Sequence, residues 1–138
     1  MSELVRISMS IEKPLFEKLE ALTAASSYTN RSEFLRDLIR EHLVDREWEK
    51  DEEAIGTITL VYDHHARGLG SKLTHTQHHF QGEVMASTHI HLDEHFCAEM
   101  IMVRGQAGRI RELADRMRRE KGVLHAALST GSAGRSLA

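Results

Sequence analysis

The chain has 138 residues, of which 41% are hydrophobic and 28% charged, and its formal net charge is −3. This length suits one ordinary domain or two small ones. No apolar run approaches the roughly 18 residues of a membrane-spanning helix, so we expect a soluble globular protein with no membrane partner. A single cysteine excludes an internal disulfide. No secretory signal is visible at Met1-Ser2-Glu3, and we expect a cytoplasmic protein.

Residues 4–11 predict a half-buried strand, because apolar and polar side chains alternate along them. The apolar face holds Val5, Ile7, Met9 and Ile11, and the polar face holds Arg6, Ser8 and Ser10.

Two helices are predicted next. Pro14 is typical of a first helical turn, and leucines at helical spacing then continue to about Ala25. Asn30, with Glu33 three residues later, has the spacing of a helix N-cap and its capping-box glutamate. A second helix is therefore predicted to begin there.

The predicted strand has no partner close by in the sequence. The next predicted strand follows about 45 residues later, and a unit of about fifty residues is near the lower limit for a self-sufficient core. Both difficulties disappear if two copies of the chain pair their strands antiparallel. The sequence thus predicts a dimeric two-stranded ribbon.

A two-stranded ribbon fits the major groove of DNA. Arginine can hydrogen-bond to guanine, and serine can hydrogen-bond to the edges of several bases. The free N–H groups at a helix start can bind a backbone phosphate. The candidate DNA-binding residues are Arg6, Ser8, Ser10, Asn30, Arg31 and Ser32. The alternative is an ordinary edge strand with a solvated polar face. Residues 1–50 hold eight Lys/Arg against ten Asp/Glu, so any phosphate contacts must be few and local.

The rest of the chain predicts an α+β domain. Residues 45–53 are acidic and indicate a helix end plus a linker. Strands are predicted at 55–62, 83–92, 96–103 and 123–128, and helices at 67–80 and 108–120. This order favours a sheet with both helices on one face. The predicted domains are 1–50, 51–130 and a flexible tail at 131–138.

His89, His91 and Cys97 point to a transition metal. A strand places residues i and i+2 on one face about 7 Å apart, so the two imidazoles can converge on one ion. A turn at Asp93-Glu94 then brings the thiol of the returning strand towards them. The alternative is that the histidines lie on a solvated face and the cysteine is a small buried hydrophobe.

A fourth ligand must come from elsewhere, and His75, His78 and His79 are available. Tetrahedral geometry would suit zinc, whereas a planar arrangement of nitrogen and sulfur would suit Ni(II) or Cu(II). The spacing fits either.

Together these motifs resemble a known family. Arg6-x-Ser8-x-Ser10 and Asn30-Arg31-Ser32-Glu33 are similar to a ribbon-helix-helix DNA-binding domain. His78-His79, His89-x-His91 and Cys97 resemble the metal-binding domain of the nickel-responsive transcriptional regulators (NikR). The resemblance spans almost the whole chain. It implies a homotetramer, a dimer of dimers, with an ACT-like βαββαβ regulatory domain.

The resemblance also implies a ligand set. His89, His91 and Cys97 of one protomer, with His78 of its neighbour, would hold one Ni²⁺ per chain in a plane. Glu99 lies two residues from Cys97 on the same strand face, where it can orient a ligand imidazole or stay solvated.

Further metal sites are left open by the sequence. Glu33 and Asp37 resemble the family's interdomain cation site, although such pairs are often plain surface features. Whether His64, His75 or His79 hold a second ion is undecided.

Two other functional classes share some of these motifs. Gly82, His89-x-His91 and Glu94 are close to a cupin metal motif, but a cupin barrel needs many more strands, so we expect no enzyme. A metal-free, antitoxin-like ribbon-helix-helix protein would have a short, disordered C-terminal part, whereas residues 55–128 predict an ordered domain.

The expected mechanism is allosteric repression of nickel uptake genes. Nickel would order residues 64–80 and hold the two ribbons at the spacing of a palindromic operator in double-stranded DNA. The operator sequence, the genes and the choice of repression or activation are not determined by the sequence.

Overall fold

The computed structural model describes residues 3–138. The chain divides into two compact units, one reaching to Leu43 and including Ser136–Ala138, the other comprising Val44–Arg135. The predicted domain boundaries stay predictions. Among the described residues no helix is long and apolar enough to cross a membrane.

The two predicted helices are formed, the first within the N-terminal unit and the second beginning there. Helix α1 comprises Lys13–Ala25 with its proline in the first turn, and α2 begins at Arg31 and ends at Glu49. The Asn30 side-chain oxygen accepts a hydrogen bond from the Glu33 N–H at 2.9 Å, so the predicted N-cap is confirmed.

Residues 3–12 form no strand within the described part of the chain. Val5 is 78% exposed and Ile7 is 80% exposed, so most of the apolar face of the predicted strand is uncovered, although Ile11 is half-buried. A strand needs a neighbour for its backbone hydrogen bonds. The pairing predicted with a second copy therefore stays a prediction.

The second unit is the predicted α+β domain. Its elements are β1 Glu53–Asp63, α3 Leu69–His78, β2 Glu83–His91, β3 Phe96–Gln106, α4 Ala107–Arg119 and β4 Val123–Gly131. The four strands form an antiparallel sheet in the order β2-β3-β1-β4. Each predicted strand and helix is confirmed, and the βαββαβ order with this strand order is the expected ACT-like arrangement.

The core lies between one face of the sheet and the two helices. Alternate residues of β1 are buried, as expected for a strand with one covered face. In the register, Ile58 faces Ile101 and Tyr62 faces Cys97. Helices α3 and α4 complete the core with Leu69, Leu73, Ile110, Leu113 and Met117.

The segment 45–53 also contributes a side chain to the hydrophobic core of the second unit. Trp48 is only 5% exposed and belongs to the core of the second unit. Its indole N–H donates to the Gly131 carbonyl at 2.9 Å, and the Arg111 guanidinium lies 5.1 Å from its ring centroid. Trp48 lies in the predicted helix end, since α2 ends at Glu49, and its packing fixes this last turn.

Gly56 lies where α4 packs closely against β1. A Cβ atom there would lie 2.7 Å from Ile110 Cγ2 and 3.2 Å from Leu128 Cδ1. We predict that Gly56→Ala lowers the free energy of unfolding by about 1–3 kcal/mol through overpacking. Urea denaturation of the metal-free protein at fixed concentration measures it.

Gly70→Ala is the matched control, because Gly70 lies in α3 with no atom within 4 Å of the added Cβ. Alanine there should leave stability unchanged or raise it by up to about 1 kcal/mol. Equal effects of the two substitutions would contradict the packing argument.

Candidate metal centre

The tip of the β2–β3 hairpin is built around Asp93. One carboxylate oxygen accepts hydrogen bonds from the His95 N–H at 2.7 Å and the Phe96 N–H at 2.9 Å. These two bonds hold the pKa of the Asp93 carboxyl below its usual range. The turn fixes the register of the hairpin, in which His91 lies opposite Cys97 and His89 opposite Glu99.

Cys97 and His91 form the inner part of the site. The Cys97 Sγ atom lies 3.3 Å from His91 Nδ1, and the side chain is buried. Burial raises the pKa of the Cys97 thiol, and the Asp93 carboxylate raises it further. The thiol is therefore protonated at neutral pH, and a metal ion that binds there must displace the proton.

His64 joins this pair. Its Nδ1 atom lies 3.6 Å from Cys97 Sγ, and the candidate ligand atoms of His64, His91 and Cys97 all lie within 4.8 Å of one another. The His64 N–H donates to the His95 carbonyl at 2.7 Å, which ties the end of β1 to the hairpin tip. From the sequence, His64 was expected only as a possible ligand of a second ion. The available signal was the alternation Tyr62-x-His64, which puts His64 on the face that Tyr62 shares with Cys97.

His89 lies beside this group. Its ring centroid is 5.1 Å from that of His91, as expected for neighbours on one strand face. Its Nε2 atom lies 3.4 Å from the Tyr62 hydroxyl oxygen. The structure therefore brings His89, His91 and Cys97 to one side of the sheet, with His64 closer to the thiol than the sequence indicated.

Glu99 lies between His89 and helix α3. Burial raises the pKa of its carboxyl, while His89 and hydrogen bonds from Gln77 and Ser87 act in the opposite direction. The Gln77 amide donates to a Glu99 oxygen at 3.4 Å. Glu99 thus connects the hairpin to the residue immediately before His78.

His78 is the last residue of α3 and its side chain is exposed. Among the described residues it does not belong to the close group of ligand atoms of its own chain. In this position the imidazole is accessible to a metal ion or to another molecule.

The donor set fits nickel. Imidazole nitrogen and thiolate sulfur are ligands of Ni(II), Cu(II) and Zn(II), whereas Mg²⁺ and Ca²⁺ prefer oxygen. The close group of ligand atoms consists of two imidazoles and one thiol, all within 4.8 Å of one another, and includes no carboxylate.

The candidate DNA-binding residues lie in the N-terminal unit. Arg6, Ser8 and Ser10 are exposed in residues 3–12. Arg31 and Ser32 begin α2, and the Arg31 guanidinium lies over the Phe16 ring at 5.2 Å from its centroid.

The candidate cation pair Glu33 and Asp37 has partners within the N-terminal unit. Glu33 accepts a hydrogen bond from the Thr29 hydroxyl at 3.2 Å, and Asp37 accepts one from the Tyr28 hydroxyl. Among the described residues, Glu33 and Asp37 do not belong to a group of three or more close ligand atoms. A cation here stays a prediction.

Comparison with known proteins identifies both halves of the chain. A family model described as "NikR C terminal nickel binding domain" matches residues 55–130, and one described as "Ribbon-helix-helix protein, copG family" matches residues 5–46. The chain therefore belongs to the family of nickel-responsive regulators. Neither the cupin nor the antitoxin alternative accounts for the match over 55–130.

Full-length relatives agree with the family models. A protein of Geobacter sulfurreducens is 45% identical over 138 residues, covering 99% of each chain. One of Pyrococcus furiosus is 44% identical over 135 residues, covering 97% of this chain and 98% of the relative. Both carry the description "Putative nickel-responsive regulator". An uncharacterized protein of Thermotoga maritima shares the fold alone, with a TM-score of 0.51 and 12% identity over 57% of this chain and 98% of that chain.

The position of Glu99 predicts that it orients the ligands. Replacing Glu99 by glutamine removes the negative charge that faces His89, so we expect nickel affinity to fall by about 10–100-fold. Competition with a chelator measures the affinity. Glu83→Gln, an exposed carboxylate at the other end of β2, is the control and should leave affinity unchanged. Equal affinities for the two variants would remove Glu99 from the site.

Proposed function

We propose that nickel, bound at the centre described above, tightens the binding of this regulator to operator DNA and so represses nickel uptake genes. One observation carries the proposal: the hairpin register pairs His91 with Cys97 in a chain that also matches a ribbon-helix-helix model. A metal centre and a DNA-binding unit on one chain are the parts that a metal-responsive regulator needs.

The proposed nickel ligands are His89, His91 and Cys97 of one chain and His78 of a neighbouring copy, with one Ni²⁺ per chain. The exposed position of His78 at the end of α3, outside the close group of its own chain, supports a ligand role across an interface. When bound, nickel supplies a link between side chains of two copies. Because the thiolate needs reducing surroundings, we expect this regulator to act in the cytoplasm.

The proposed DNA contact is a ribbon made by two copies. The exposed apolar side chains of Val5, Ile7 and Met9 support this pairing, since a second copy would bury them. The same pairing turns Arg6 and the two serines outward, where a major groove can receive them.

A homotetramer on a palindromic operator follows from these two contacts. A two-fold ribbon reads two related half-sites. A nickel ion shared between copies requires a second interface, and two different two-fold interfaces generate a dimer of dimers.

Coupling between the two sites must be conformational. The metal ligands and the base-reading residues are about seventy residues apart in the sequence and lie in different compact units. Nickel can then act on DNA binding only by favouring one conformation of the assembly, because a ligand shifts an equilibrium solely through its different affinities for the two states.

Base reading by Arg6 predicts a sequence-specific loss. Arg6→Ala should cost about 1–3 kcal/mol on the specific site and much less on random DNA. Fluorescence anisotropy with both DNAs at one salt concentration measures this. Arg36→Ala is the control because it removes the same charge from an exposed position of α2. Equal losses on both DNAs would make Arg6 a phosphate contact.

Reciprocal coupling is the central prediction. If nickel raises operator affinity by some factor within the typical range of about 5–150-fold, operator must raise nickel affinity by the same factor. Nickel is titrated against a chelator with and without saturating operator at fixed salt. Cys97→Ser should remove both the sulfur-to-nickel charge-transfer band and the coupling.

One outcome would contradict this coupling. A nickel affinity that is indifferent to operator, in a protein that still binds the operator tightly, would show that the metal is structural and gives no signal.

A further inference from the structure

The chain leaves α2 through a tight junction at residues 50–52. Asp51 has a left-handed backbone with a φ of 56° and lies between the end of α2 and the start of β1. Its N–H donates to the Trp48 carbonyl at 3.3 Å, and the Glu52 N–H donates to the Glu47 carbonyl at 2.9 Å. The junction is therefore a hydrogen-bonded turn and not an extended linker.

The junction is bound to the start of α4. The Gly108 N–H donates to an Asp51 carboxylate oxygen at 2.6 Å, and the Ala107 N–H donates to the Glu52 carbonyl at 3.0 Å. These are the first two N–H groups of α4, which have no acceptor within their own helix. The negative charge of Asp51 also suits the positive end of the helix dipole. A Cβ atom on Gly108 would lie 2.8 Å from the Asp51 oxygen, so this close approach requires glycine.

The last turn of α2 is also bound to the end of β4. The Trp48 indole N–H donates to the Gly131 carbonyl at 2.9 Å, and the Ser132 hydroxyl donates to the Glu47 carboxylate at 3.2 Å. All of these contacts lie within the second unit. We call residues 47–52, with their partners at 107–108 and 131–132, the α2 clamp.

The α2 clamp lies between two elements whose far ends carry the candidate sites. Helix α2 begins at Arg31, in the N-terminal unit, and ends within the clamp. Strand β1 begins at Glu53, directly after the clamp, and ends at Asp63, next to His64. As an inner strand, β1 is paired along both edges. A change at the metal centre thus has a continuous route through β1 and the clamp to α2.

We propose that the α2 clamp transmits nickel binding to the DNA-binding unit, and that Asp51 is the positioning residue that keeps the clamp closed. This inference rests on the proposed function, in which nickel tightens operator binding. Asp51 belongs neither to the proposed nickel ligands nor to the proposed DNA contacts. Loss of its carboxylate should therefore weaken the coupling between the two sites and leave each separate site intact.

Two substitutions at Asp51 form a matched pair. Glycine adopts the left-handed backbone readily but offers no acceptor to the Gly108 N–H. Asparagine also tolerates that backbone and keeps a side-chain oxygen as acceptor. Asp51→Gly should open the clamp, whereas Asp51→Asn should keep it closed. Because Asp51 is exposed, both variants are expected to fold.

The coupling factor is the ratio of nickel affinities with and without saturating operator, measured on the whole chain. The operator is selected from a random double-stranded DNA library in the presence of Ni²⁺. The factor should fall towards one in Asp51→Gly and stay near the wild-type value in Asp51→Asn. Nickel affinity without DNA should be unchanged in both variants. Hydrogen exchange of the amides at 50–52 and 107–108 should be faster only in Asp51→Gly.

A purely structural cap would lower the stability of Asp51→Gly but keep its coupling factor at the wild-type value, and that result overturns the proposal. Unchanged hydrogen exchange in Asp51→Gly overturns it as well, and so does a loss of nickel affinity without DNA. A wild-type coupling factor of one would instead contradict the proposed function, and the clamp would then have no signal to transmit.

Discussion

The register of the β2–β3 hairpin is the constraint on which the metal centre depends. Because side chains alternate across a strand, a slip of one residue would turn His89 and His91 to the opposite face from Cys97. The Asp93 carboxylate prevents this slip by accepting two backbone N–H groups at the hairpin tip. An irregularity between Val84 and Ala86 is absorbed at the far end of the strand, so the register near the histidines is regular.

The same face of the sheet serves the core and the metal centre. Cys97 is a member of the hydrophobic core, as are its strand partner Tyr62 and the neighbouring Ile101. Core packing gives the Cys97 side chain a fixed position, as a ligand of defined coordination geometry would require. The burial that fixes it also raises the pKa of the thiol, so a metal bound at the sulfur would have to compete with a proton.

Helix α3 contacts the candidate metal centre through Gln77, which bonds Glu99. Its buried leucines, Leu69 and Leu73, anchor it on the sheet, while its last turn directs Gln77 to Glu99 and leaves His78 exposed. One helix thus has a packing face and, at its end, an exposed histidine.

The sequence by itself determined the elements and the donor types. Alternation with Asp93-Glu94 placed His89, His91 and Cys97 on one hairpin face, and Asn30 predicted the start of α2. Only the tertiary structure decided the position of His64, whose N–H reaches the His95 carbonyl, and the burial of Trp48 against the last strand. The difference is physical. Strand and helix periods are local and repeat along the chain, whereas these contacts join loops and helix ends far apart in sequence, where no spacing rule applies.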